Sequence, residues 1–154
     1  MRKNKLFRHG ETILRVLEEK EDSVLSIDCG KRSMPRWIRQ EELRKDVEIA
    51  EEDFLAEMGK EVPEGLSATA RKVMRERFTV ISSILPFAGE KKKRSLLIAE
   101  AAERYQVSQN TVKNYLWIYL VYQDIAVLAP KEKKEERELT QDEKNMRWAL
   151  NKFY

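Results

Sequence analysis

The residues best suited to chemistry in this 154-residue sequence lie on one face of a short predicted helix that follows Ser108. Asn and Gln side chains can form two hydrogen bonds with an adenine edge, and Lys can reach guanine or a phosphate. With the apolar residues of this helix directed inward, the opposite face carries five outward side chains. We predict that these five read base pairs of double-stranded DNA: Gln109, Asn110, Lys113, Asn114 and Trp117.

Four consecutive basic residues precede this helix in a predicted loop after Gly89. Cations beside a DNA-reading helix contact the phosphate backbone, which positions a protein without reading the sequence. A basic run in isolation is more typical of a solvated surface, so this prediction depends on the neighbouring helix. The residues predicted to hold phosphates are Lys91, Lys92, Lys93, Arg94 and Ser108. Weaker candidates for backbone contact in the strand-rich part of the chain are Lys31, Arg36 and Arg39.

The segments around Ser108 carry the pattern of a helix-turn-helix, in which two helices pack across a tight turn. Ala102 is the small residue that close packing of the helices requires, Val107 is the apolar residue in the turn, and Val112 anchors the second helix. Gln106 stands where such turns often have glycine, so we expect a strained or altered turn there. The same pattern is compatible with a helical bundle that uses the helix pair only for packing.

Charge and apolar periodicity divide the chain into four parts. Residues 41–64 carry 10 acidic and 3 basic side chains, whereas residues 65–130 carry 10 basic and 5 acidic ones. Short apolar runs predict a hairpin over residues 12–27 and a third strand over residues 34–38. Ser67 and Ser108 are predicted to cap helices, and the helix between them is predicted to start at Ser95. We therefore predict a mainly α fold with a small N-terminal β module and a three-helix helix-turn-helix domain. The predicted parts are a β-rich module (5–40), an acidic helical connector (41–64), a helix-turn-helix DNA-binding domain (65–130), and a charged linker with the start of a further helix (131–154).

Two of these parts leave questions open. The acidic connector is equally compatible with a solvated linker between modules and with an exposed acidic helix face. Thr140 and Glu143 form a capping box that predicts the start of the last helix. Because no residue terminates that helix before Tyr154, we expect the natural sequence to continue.

Composition excludes several functional classes. The sequence has one cysteine, Cys29, and one histidine, His9, which excludes a disulfide framework and a metal site built from such residues. These two residues lack a third group to orient them as a nucleophile and base. No apolar run approaches the roughly 20 residues of a membrane-spanning helix. We therefore expect a cytoplasmic, non-enzymatic chain that has no catalytic residue, metal ion or cofactor and that associates with the nucleoid when bound to DNA.

The order of these parts, the segment Gln106–Val112 and the segment Ala126–Pro130 resemble the N-terminal part of the Mu-type, TnsB-like transposases of the retroviral integrase superfamily. The resemblance implies recognition of transposon ends during DNA transposition, with double-stranded DNA, a second copy on DNA and other transposition proteins as partners. In that family a following core holds two Mg²⁺ ions with two Asp and one Glu. No residue of this chain is assigned to that core, so Mg²⁺ is expected only for the absent part.

Two other functions remain open. A stand-alone helix-turn-helix transcriptional regulator would use the same DNA-reading face and would be expected to dimerise on paired half-sites. A protein-interaction module would dock a partner on the aromatic helix Tyr115–Tyr122 and would not bind DNA at any salt concentration.

Overall fold

The structure, a computed structural model, describes residues 3–31, 33–58 and 65–130. Five strands form one antiparallel sheet in the order β4-β3-β2-β1-β5. The strands are β1 (Leu6–His9), β2 (Thr12–Glu19), β3 (Ser23–Asp28), β4 (Arg36–Arg39) and β5 (Val47–Ile49). The helices are α1 (Glu51–Met58), α2 (Ala68–Ser82), α3 (Lys91–Tyr105) and α4 (Gln109–Tyr122), with short 3₁₀ turns at Gln40–Leu43, Leu85–Phe87 and Ile125–Leu128.

The predicted fold class, mainly α with a three-helix helix-turn-helix domain, is wrong. The described residues are 52% helical and 21% strand, and they combine a five-stranded sheet with four helices. The sequence patterns had indicated neither β1 nor β5. β5 lies inside the segment expected to be helical, where it pairs with β1 so that Leu6 faces Ile49 and Arg8 faces Val47. A strand of three residues is too short to show an alternating pattern, so only its partner strand defines it.

The middle of the sheet follows the predicted pattern. β2 and β3 form the expected antiparallel hairpin, closed by a hydrogen bond from Lys20 N to Ser23 O of 2.8 Å. β4 begins directly after the buried residue Pro35, close to the predicted third strand. The hairpin was recognisable because both strands and their turn are adjacent in the sequence.

One hydrophobic core joins the sheet to the helices. Alternate residues of the strands, such as Leu25 and Ile27, share this core with Phe54 of α1 and with Ile98 and Leu116 of α3 and α4. The opposite face of the sheet has a smaller cluster, covered by the 3₁₀ turn that ends at Leu43: Phe7, Leu14, Val16, Val24 and Leu43. The helices therefore pack directly on one face of the sheet.

The starts of the helices differ in how well they were predicted. Ser67 accepts a hydrogen bond from Ala70 N, and Ser108 accepts one from Thr111 N, so both caps are confirmed. α3 begins at Lys91, four residues before the expected start at Ser95. The predicted basic loop is therefore the first turn of a helix. None of the described helices is long and apolar enough to cross a membrane. The predicted linker and the helix from Thr140 lie outside the described residues.

Candidate nucleic-acid interface

α4 presents a polar face to solvent because its opposite face is fixed in the core. Val112 and Leu116 are fully buried. On the outward side, Gln109, Asn110 and Asn114 are exposed. The other two predicted base-reading residues, Lys113 and Trp117, are half-buried. The five residues lie at helical spacing on one side of α4, and we call this surface the α4 face.

The turn before α4 fixes where that face begins. Gln106 adopts the left-handed conformation (φ 57°, ψ 46°) that the sequence predicted would be strained there. Its N–H donates to Glu103 O at 3.4 Å, and the N–H of Val107 donates to Ala102 O at 3.0 Å. This pair of bonds is a Schellman motif, which ends α3 and allows Ser108 to start α4 two residues later. Ala102 is buried in the core, and Val107 is half-buried and packs against it.

Three lysines form an exposed cationic surface at the start of α3. Lys91, Lys92 and Lys93 are exposed, and the Lys93 Nζ lies 4.8 Å from the centre of the Phe87 ring. Glu90 precedes them at the N-cap but makes no side-chain capping hydrogen bond. Cations in a first helical turn oppose the helix dipole, whereas an anion there is favourable. Phosphate binding at this position would therefore relieve an unfavourable arrangement of charge.

Arg94 does not belong to this exposed surface, and its assignment as a phosphate-binding residue is wrong. Its exposed fraction is only 3%, and its Nη1 donates to Ala88 O at 2.5 Å. The guanidinium carbon lies 5.7 Å from the centre of the Trp117 ring. Because α3 begins at Lys91, the fourth residue of the basic run points inward. Burial lowers the pKa of Arg94, but an arginine remains a cation inside a protein.

A groove of about 610 Å³ adjoins the C-terminal half of the α4 face. Asn114 and Trp117 line it from α4, and Lys31 lines it from the turn that follows β3. Arg77 of α2 lies beside them, with its Nη1 donating to Leu128 O at 3.0 Å and its guanidinium 5.3 Å from the Tyr115 ring centre. Sequence patterns did not indicate Arg77 as a functional candidate, because only the packing of α2 against α4 brings it to this groove.

The two residues considered for nucleophilic chemistry are engaged elsewhere. Burial raises the pKa of Cys29 to about 12, so its thiol is not a nucleophile near neutral pH. The His9 ring lies beside a carboxylate, with 2.6 Å between Nδ1 and Asp46 Oδ2. Among residues 3–31, 33–58 and 65–130, no group of three or more His, Cys, Asp or Glu side chains is arranged to hold a metal ion.

Comparison with known proteins adds no family to this description. No family model matches the sequence, and no curated protein is found to be similar to it.

Proposed function

We propose that the chain binds double-stranded DNA sequence-specifically through the α4 face, and that its natural target is a transposon end recognised by the N-terminal part of a DDE-type transposase. The observation that carries the DNA-binding proposal is the two-sided character of α4. Its apolar side is held in the core, while amide side chains suited to adenine edges are exposed on the other side. The transposon target comes from the resemblance of the sequence alone.

The exposed lysines of α3 support this proposal because they could contact phosphates beside the duplex that α4 enters. They give the binding an electrostatic part that depends on salt, whereas the amides of α4 give it sequence preference. The buried cation of Arg94 lies under Trp117 and adds positive charge behind the α4 face. The two parts are separable by mutation.

The aromatic side chains of α4 give less support to docking of a partner protein. Tyr122 is buried and its ring centre lies 5.5 Å from that of Phe54. The ring of Tyr119 packs edge-on against Phe78 at 5.4 Å. Rings that are used in contacts within the chain are poor anchors for another protein.

The first experiment is selection of preferred sites from a random duplex library with the full chain, followed by fluorescence anisotropy over a series of salt concentrations. If about 6 phosphates are neutralised, the logarithm of the affinity should fall with the logarithm of the salt concentration with a slope near −5. No measurable binding to any duplex at low salt would refute DNA binding. Binding without enrichment of a sequence would refute specificity.

Two sets of variants then test the assigned roles. Asn110→Ala and Asn114→Ala should weaken binding to the selected site and leave binding to random duplex and the salt slope unchanged. Lys91→Ala combined with Lys92→Ala should weaken binding to both duplexes and flatten the slope by about 2. Thr69→Ala, on the exposed side of α2, is the control and should change neither property. Equal losses from both sets on both duplexes would contradict the division of roles.

A further inference from the structure

The groove beside the α4 face extends beyond the residues that are predicted to read bases, and its composition suits a phosphate. Two of the side chains that line it, Lys31 and Arg77, are cations, and the described lining contains no carboxylate. Asn114 and Trp117 belong to both the groove and the α4 face. A duplex seated on that face therefore continues toward the groove.

The turn that presents Lys31 is held by hydrogen bonds between a side chain and the backbone of the turn. The Asp28 carboxylate accepts hydrogen bonds through Oδ1 from Gly30 N at 2.9 Å and from Lys31 N at 3.0 Å. Both bonds engage the same oxygen of this carboxylate. Lys31 is exposed, so its ammonium group is accessible to a ligand.

The position of Arg77 on the other side of the groove is also fixed. One of its amino groups donates to Leu128 O, and its guanidinium lies over the Tyr115 ring. Arginine has five N–H donors in a planar fork, so a single carbonyl partner leaves donors for a phosphate oxygen. Stacking on an aromatic ring limits the movement of the fork, which favours binding of an anion in one place.

Resting on the proposed function, we infer that the turn after β3 is part of the DNA-binding surface, and that Lys31 and Arg77 hold the sugar-phosphate backbone of the duplex read by α4. The sheet then serves two purposes. It supports the helices from behind, and at one end it supplies a second contact to the backbone, separate from the lysines of α3. Phosphate contacts fix the register and orientation of a reading helix on the duplex without reading its sequence.

The test uses the full chain, a random-sequence duplex and the selected duplex, in anisotropy titrations over a series of salt concentrations. Lys31→Ala should weaken binding to both duplexes several-fold and reduce the steepness of the salt slope by about 0.9, the value for one phosphate contact. Lys31→Arg keeps the positive charge, so its affinity and its salt slope should equal those of the unmodified chain. The matched control is Lys45→Ala, which removes an exposed lysine beside β5 at the opposite edge of the sheet and should leave the slope unchanged.

The outcomes separate this inference from the function on which it rests. If the unmodified chain binds DNA and Lys31→Ala has the same affinity and slope, the inference fails and the proposed function stands. If Lys45→Ala flattens the slope as much as Lys31→Ala, the effect is one of overall charge, and the inference fails as well. If the unmodified chain binds no duplex, both fail together.

Discussion

Two of the polar contacts between the sheet and the helices, which we call joints, each contain a buried arginine, and the two arginines have different partners. At the first joint, Arg15 donates from Nε to Val121 O at 2.9 Å and pairs with the carboxylate of Glu51. At the second, Trp37 of β4 donates to Gly89 O at 3.0 Å, and Arg94 donates to the neighbouring carbonyl of Ala88. Within the described parts of the chain, no carboxylate pairs with Arg94.

This difference separates a structural charge from one that remains available to act on a ligand. When a buried cation is paired with a carboxylate, the two charges largely cancel, so the pair produces little electrostatic field at a distance. A buried cation held only by a carbonyl and a ring keeps its full charge, at a cost in desolvation. The first arrangement fastens β2 to α1 and α4. The second leaves positive charge directly behind Trp117, on the side of the molecule where DNA binding is proposed.

The largest effect is expected from making the first joint resemble the second. Glu51→Gln keeps the shape of the side chain and removes its charge, which leaves Arg15 buried without an anion. Because the Arg15 side chain is only 1% exposed while that of Glu51 is half-exposed, we expect a loss of about 2.5 kcal/mol in the free energy of unfolding, measured by urea denaturation. The control is Glu57→Gln, whose partner Arg8 belongs to an exposed ion pair, so its loss in stability should be much smaller. Equal losses in the two variants would show that burial of the arginine does not make its ion pair more important for stability.

The second joint should be sensitive to volume rather than to charge. A Cβ atom added at Gly89 would lie 2.9 Å from Trp37 Cζ2 and 3.2 Å from Leu25 Cδ2, too close for ordinary contact. We expect Gly89→Ala to destabilise the chain by about 2 kcal/mol, because the indole must move away from its hydrogen bond. Gly30→Ala is the control, since its Cβ would meet only Asp28 Oδ1 at 3.4 Å. Thermal denaturation of both variants measures the difference, and an unchanged midpoint for Gly89→Ala would mean that this joint is loosely packed.

A smaller effect on stability is expected when the unneutralised cation is removed. In Arg94→Met, the desolvation cost of the charge disappears while the Ala88 carbonyl loses its donor, and the two changes oppose each other. We expect the free energy of unfolding to change by less than about 1.5 kcal/mol. DNA affinity should fall for all sequences alike, because the charge lies behind the α4 face and touches no base. A loss in stability as large as that of Glu51→Gln would show that Arg94 is a structural residue like Arg15.

The parts of this molecule that sequence patterns predicted are the ones determined by neighbours in the chain. The caps at Ser67 and Ser108 and the β2–β3 hairpin depend on residues only a few positions apart. β5 is defined by pairing with β1, some forty residues away, and its three residues carry no pattern of their own. The apolar residues around β5 fall near helical spacing and therefore indicated a helix, and the edge of the sheet was missed.

In the candidate site, too, the features set by neighbours in the chain were predictable, and those set by contacts between distant elements were not. The α4 face was predictable because the spacing of apolar residues in one helix determines which side is outward. The burial of Arg94 was not, because it depends on where α3 begins and on the packing of Trp117 across two helices. Arg77 reaches the groove from α2, nearly forty residues before Asn114. Contacts between elements of this kind leave no periodic signal in a single sequence.

The smallest expected effect concerns the turn between α3 and α4, which lies in neither joint. Gln106 has a positive φ of 57°, a conformation that costs a residue with a side chain about 1–2 kcal/mol and costs glycine little. Glycine also has more conformational freedom in the unfolded chain, which lowers the free energy of unfolding by about 0.5–1 kcal/mol. Gln106→Gly should therefore raise the free energy of unfolding by up to about 1 kcal/mol, with DNA affinity unchanged.

Gln123 is the matched position for that test, because it ends α4 with a similar φ of 54°. Its side chain donates from Nε2 to Leu120 O at 2.9 Å, a bond that glycine would lose. The gain from Gln123→Gly should accordingly be smaller than that from Gln106→Gly in the same urea titrations. If Gln106→Gly instead lowers stability, the Gln106 side chain contributes an interaction that outweighs the strain, and the Schellman turn alone does not account for the start of α4.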